Sequence, residues 1–250
     1  MRFTELPIAH SFRPLVNQLR NKLGSRFLFD SFFKLVDSLE SEGRAFKIIF
    51  RTFGHDLIDV QEDMNAFAAG EHPLYPGKVR PHLRLETAQM YHGRYHSAAF
   101  KLHPFNADAA SDSSLLPPPV VPTEAEVLTL IEDMSGSKVM AINDDYDHWS
   151  QHDCHPSAGK PCWLHSAPSA ASSPARPVHL FFDDNIHNDP DDSIVAVRRV
   201  AADGSITPLS GAETIEEEGK SIVKVFCYEA IMNDDYFINH VDKIYKSAPS

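Results

Sequence analysis

The sequence predicts an α/β domain built on a doubly wound sheet with helices on both faces. Three observations predict it. Short β-rich apolar runs end in turn residues: residues 46–53 (FKIIFRTF) in Gly54, 138–142 (KVMAI) in Asn143-Asp144-Asp145, and 178–182 (VHLFF) in Asp183-Asp184-Asn185. Segments with apolar residues at helical spacing precede and follow the first of these runs. The length of 250 residues, 42% hydrophobic and 23% charged, suits one large domain over residues 1–250 whose core needs no covalent staples.

Taken in order, residues 1–30 show no clear pattern. Ser31 has the chemistry of a helix N-cap, and Phe32, Phe33, Leu35, Val36 and Leu39 share one face of a helix ending at Gly43. The strand 46–53 follows, and then a helix over 56–69 carries Leu57, Val60, Met64 and Phe67 at spacings of three and four. Residues 71–122 contain no strong periodic element. Within them, 106–122 is rich in Ala, Ser, Asp and Pro, with three consecutive prolines at 117–119, and reads as a flexible insertion. Thr123 and Glu126 have capping-box spacing ahead of Val127, Leu128 and Ile131. A second flexible insertion is expected at 166–177. Further strands are expected at 194–198 and 221–227, and a terminal helix from Asp234 should bury Phe237, Val241 and Tyr245.

Composition excludes several classes. Three cysteines, Cys154, Cys162 and Cys227, make no disulfide framework and favour a reducing compartment. A net charge of -12 without a Lys/Arg cluster argues against nucleic-acid binding. No secretory h-region opens the chain and no stretch approaches a membrane-spanning length, so a cytoplasmic protein with no membrane partner is expected. Nothing in the pattern specifies an oligomeric state.

Adjacent carboxylates at a strand end, Asp183 and Asp184, repel each other unless a cation lies between them. Mg²⁺ suits them, because it takes hard oxygen ligands and completes its shell with water or phosphate. Thr52 offers a hydroxyl and Gly54 a close backbone approach ahead of a helix start, a pattern able to hold phosphate oxygens. Lys160, after Ala158-Gly159, can neutralise a phosphate as a point charge. A small phosphorylated ligand is the partner these groups imply. His148, His152, Cys154, His155, Cys162 and His165 are zinc-capable, and a zinc-stabilised interaction module is the rival reading. They lack the two close ligand pairs of a zinc finger, so zinc is the less favoured cofactor.

Thr52, then Lys160, then Asp183-Asp184 resemble in order three of the four signature motifs of the haloacid-dehalogenase-like superfamily, over residues 31 to 247. FKIIFRTFG looks like the second motif, GK the third and VHLFFDDN the fourth. The spans around FRTFGHDL and INDDYDHW are also similar to a group of proteins from single-celled eukaryotes. The resemblance implies a Rossmann-like three-layer sheet and a Mg²⁺-dependent phosphotransfer site. In it Thr52 would bind phosphoryl oxygens, Lys160 would hold nucleophile and phosphate together, and Asp183 and Asp184 would ligate the metal. Working members attack phosphorus with an Asp whose partner two residues on protonates the leaving group.

That Asp-x-Asp strand, the first of the family's sheet, is not found ahead of Thr52. Asp30 reads as the opening of a helix. Asp145-Tyr146-Asp147 has the spacing and follows a strand, which makes Asp145 and Asp147 the candidates for an unrecognised nucleophile pair. The expectation is therefore a Mg²⁺/phosphate-binding protein of impaired or absent phosphohydrolase activity, with an active Mg²⁺-dependent phosphatase as the alternative.

Overall fold

The computed structural model describes residues 13–247 other than 25, 98, 111–112, 167–176 and 188. The chain divides into two compact units, Met1–Arg44 with Phe226–Ser250, and Ala45–Val225. The first unit opens with α1 (Arg13–Leu23) and α2 (Asp30–Ser41). Helix α2 starts two residues earlier than expected. Extended Phe29 holds the N-cap position, and Ser31 lies inside the first turn, buried, its hydroxyl donating to the Ala230 carbonyl at 2.5 Å. Asp30 places negative charge at the helix N-terminus and meets Arg26 at 2.6 Å. Gly43, at φ +65°, follows the last turn, where a left-handed residue without a Cβ is needed.

The second unit contains, in order, β1 (Ile48–Thr52), α3 (Leu57–Ala69), β2 (Met90–His96), β3 (Ala99–Pro104), α4 (Glu124–Glu132), β4 (Val139–Asn143) and α5 (Tyr146–Gln151). It continues with β5 (Lys160–His165), β6 (Phe181–Asp183), β7 (Val195–Val200), β8 (Ile206–Pro208), α6 (Gly211–Glu216) and β9 (Ile222–Lys224). The protein is thus mixed α/β. Its strands lie in three sheets, ordered β1-β4-β2-β3, β5-β7-β8 and β6-β9. The pairs β1·β4, β2·β4, β5·β7 and β6·β9 are parallel, whereas β2·β3 and β7·β8 are antiparallel.

The apolar runs form strands because their side chains have two faces to cover. Strand β4 is buried at every residue. Met140 and Ile142 join Phe100, Leu102, Trp163 and the α4 residues Val127, Leu128 and Ile131 in one core cluster. A second cluster gathers Cys162, Leu164, Ile186, Val195, Val197 and Ile222, with Phe53, Trp149 and Phe181 against it. In α3, Leu57, Val60, Met64 and Phe67 are the buried stripe. The Thr123–Glu126 capping box opens α4 as expected.

Residues 71–122 depart from expectation. They contain β2 and β3, and β2 lies between β4 and β3. Its sequence, MYHGRYH, has no apolar alternation to read. His92 is buried nonetheless, because Asn143 and the Asn106 backbone satisfy its ring. The described residues of 106–122 hold short 3-10 turns at Ala107–Ala110 and Ser113–Leu115 and an isolated antiparallel bridge from Val121 to Leu102. The end of that stretch is fastened to β3, with Val120 and Val121 amides donating to the Leu102 carbonyl at 2.9 and 3.2 Å. The insertion expected at 166–177 falls almost wholly outside the described residues. Among the described residues, no helix is long and apolar enough to cross a membrane.

Helices α7 (Cys227–Met232) and α8 (Tyr236–Ser247) complete the first unit. Phe237 and Val241 of α8 are buried, and Ile244 takes the third place expected of Tyr245. Tyr245 is 65% exposed. It lies one residue too far round the helix, where the Arg44 guanidinium covers its ring at 4.4 Å.

Candidate functional site

The carboxyl ends of β1 and β4 lie side by side, since Thr52 is in register with Asn143. The Asp144 amide donates to the Thr52 carbonyl at 2.7 Å, and the Asn143 side-chain amide donates to the Gly54 carbonyl at 2.7 Å. Arg51, a charged residue inside an apolar strand, grips Asp144 with two donors: Nε at 2.8 Å and Nη2 at 2.5 Å. Their side chains are 8% and 1% exposed. The neighbouring charge of Asp144 overcomes burial and raises the affinity of Arg51 for its proton. The third guanidinium nitrogen donates to the Pro161 carbonyl at 2.9 Å, which ties β1 to the start of β5.

Lys160 is the first residue of β5. Its Nζ lies 2.8 Å from Asp183 Oδ2, at the last residue of β6, and 4.9 Å from the Phe53 ring centroid. Gly159 makes this placement possible. A Cβ there would stand 2.5 Å from the Ile194 carbonyl oxygen, so only glycine lets the chain run this close to the segment entering β7. Phe53 is stacked on Trp149 of α5 at 5.2 Å, and the Trp149 indole donates to the Ser193 carbonyl at 2.9 Å. Lys160, Asp183 and Phe53, which adjoins both Thr52 and Gly54 in the chain, thus form one contiguous group.

Other expected residues occupy different settings. The Thr52 hydroxyl donates to Asp56 Oδ1 at 2.6 Å and accepts the Gly54 amide at 2.8 Å. Asp56 is the N-cap residue of α3, but its side chain makes no cap hydrogen bond to the helix amides and accepts from Thr52 instead. Asp184 is exposed beside Asp183, whose Oδ1 accepts the Asn185 amide at 2.9 Å. Asp145 caps α5: its two oxygens accept the His148 and Tyr95 amides at 3.1 and 2.9 Å. Asp147 is exposed in the first turn of that helix. Asp30, in the first unit, is held by Arg26.

Sequence reasoning passed over Arg51, Asp144, His92 and Arg94. Arg94 donates to the Asn143 carbonyl and side-chain oxygen at 2.7 and 2.8 Å. The signal for Arg51 was present, because a lone arginine within IIFRTF must find a buried anion. It named no partner. The His/Cys segment does not assemble as a unit. Cys162 faces the second core cluster, and burial pushes its thiol up to about 12. His148 of α5 is stacked on Tyr95 at 4.3 Å and meets His152, just beyond the helix, with the ring planes tilted by 39°. His165 instead meets Glu132 and His179. No protein-family model, curated protein or solved structure matches the chain.

Proposed function

We propose that this chain is a haloacid-dehalogenase-like protein whose strand ends bind Mg²⁺ and a phosphorylated ligand, with phosphohydrolase turnover impaired or absent. The observation that carries the reading is the buried Lys160–Asp183 contact at 2.8 Å, next to the Thr52-Phe53-Gly54 turn. It joins three motifs that are far apart in sequence, in the order the family resemblance implies. The Rossmann-like reading draws support from β1 and β6. Strand β1 runs parallel to β4 and β6 runs parallel to β9, the pairing direction that such a sheet uses.

The donor set fits Mg²⁺ as a weakly held, water-completed ion. Asp183 and Asp184 offer hard oxygens only, and each Asp183 oxygen keeps a lone pair beyond its present hydrogen bond. Mg²⁺ there would supply charge neutralisation for a phosphate. Lys160 would add a second positive charge, and the Thr52 hydroxyl would turn from Asp56 to the anion. Turnover is the weak point. Asp144 is held by Arg51, and both oxygens of Asp145 are engaged by backbone amides, so neither carboxylate is poised to attack phosphorus.

The test is Mg²⁺ titration calorimetry together with hydrolysis of p-nitrophenyl phosphate, with and without Mg²⁺. Wild type, Asp183→Ala and the exposed-site variant Asp184→Asn are compared. Mg²⁺ binding weakened in both variants, without hydrolysis by any of the proteins, is the expected result. Equal Mg²⁺ binding by all three would remove the site. Mg²⁺-dependent hydrolysis abolished by Asp183→Ala would establish the active phosphatase instead.

A further inference from the structure

We propose that Glu132, His165 and His179 form a binding site for a divalent transition-metal ion of the zinc class, separate from the Lys160–Asp183 group. The three residues come from different elements. Glu132 is the last residue of α4, His165 the last of β5, and His179 stands two residues before β6. His165 Nε2 and His179 Nε2 lie 2.5 and 2.9 Å from the same oxygen, Glu132 Oε1. All three donor atoms fall within 4.8 Å of one another, the only such His/Cys/Asp/Glu group among the described residues.

The donor chemistry suits zinc. Two imidazole nitrogens and one carboxylate are a common open zinc set, leaving a fourth position for water. Zinc ligands at about 2.0–2.2 Å in a tetrahedron stand roughly 3.3–3.6 Å apart. The two imidazoles therefore need to withdraw from Glu132 by about 1 Å or less to admit an ion. The imidazole planes are nearly perpendicular, at 88°, so the two rings approach the carboxylate from different directions. Side-chain exposures of 12%, 14% and 21% for His165, His179 and Glu132 leave access from solvent while limiting it.

Two further features favour a cation here. A carboxylate at the C-terminus of a helix faces the negative end of the helix dipole, so Glu132 is poorly placed unless positive charge stands beside it. The strand also aims correctly. Alternation along β5 puts Trp163 and His165 on one face, and both reach α4, Trp163 Nε1 donating to Glu124 at 2.9 Å and His165 meeting Glu132. Trp163 is buried among Val127, Leu128 and Ile131, which anchors β5 against α4 and holds His165 at the helix end. The opposite face carries Cys162 away from the site.

The experiment uses the full chain, stripped with chelator, and titrates it with Zn²⁺ by calorimetry and with Co²⁺ by visible absorption. One equivalent of Zn²⁺ and the intense visible bands of tetrahedral Co²⁺ are expected. Losing a direct ligand should exceed the 10–100-fold cost of losing a supporting group, so His165→Ala and His179→Ala should each weaken Zn²⁺ binding more than about 100-fold. Glu132→Gln keeps the shape of the side chain and should weaken it more than about tenfold, with unchanged circular dichroism. Cys162→Ser should bind Zn²⁺ as wild type does. Equal Zn²⁺ affinity in wild type, His179→Ala and Glu132→Gln would overturn the proposal, as would loss of the site in Cys162→Ser.

Discussion

Lys160 and Asp183 are 23 positions apart in the chain, yet Nζ and Oδ2 stand 2.8 Å apart, with side chains 5% and 9% exposed. Both charges have been taken out of water, and each is the other's principal compensation. The Phe53 ring over Lys160 adds a weaker attraction from its π-face. A pair of this kind is costly to break from one side and cheap to replace from both.

Lys160→Met and Asp183→Asn should therefore each destabilise the protein by about 3–5 kcal/mol, because each strands a buried charge. The double variant Lys160→Met/Asp183→Leu should recover most of that loss. Urea unfolding of the four proteins closes the cycle. Additive losses in the double variant would mean that the two charges are not coupled.

Arg51→Lys preserves the charge and loses the fork. A lysine ammonium cannot bond both Asp144 oxygens and the Pro161 carbonyl at once, as the guanidinium does. A loss of about 2 kcal/mol is expected, the scale of hydrogen bonds to charged groups. It should appear as a lower denaturant midpoint at constant slope. An unchanged midpoint would show that the bidentate geometry contributes nothing.

Stability should fall on mild acidification. Burial is the main cause that lowers the His92 proton affinity below its ordinary 6.5, and the Arg94 charge adds to it; hydrogen bonds with Asn106 and Asn143 oppose it. A histidine with a lowered folded value contributes stability that is complete above 6.5 and lost as pH falls through the folded value. His103 and His148 are lowered as well, again chiefly by burial. Unfolding free energy should therefore decrease from about pH 7 to about pH 5, and His92→Gln should flatten that slope. Parallel curves for the two proteins would assign the pH dependence elsewhere.

Thiol reactivity should separate the three cysteines. Cys162 is buried with its thiol pushed up to about 12, whereas Cys154 and Cys227 are half-buried. Titration of native protein with an aromatic disulfide reagent at about pH 8 should modify two thiols readily and the third only on unfolding. Three equally fast thiols would contradict the placement of β5 in the core.

The sequence by itself determined the elements whose signal is local. The α3 stripe, the Thr123–Glu126 capping box, the glycine after α2 and the apolar runs that became β1, β4 and β7 follow from periodicity, caps and β propensity, which neighbouring residues alone establish. The candidate site was legible only as chemistry: a lysine and paired acids in a suggestive order. Tertiary structure decided the partners. It gave Asp144 to Arg51, Asp145 to the cap of α5, and Thr52 to Asp56. It also recruited the polar strand β2 beside β4, because Asn143 and the Asn106 backbone satisfy the buried ring of His92. The same limit hid the Glu132, His165 and His179 group. A buried charge or imidazole announces that it needs a partner, but hydrogen bonds and ion pairs act through space, and spacing along the chain does not encode which distant residue arrives within 3 Å.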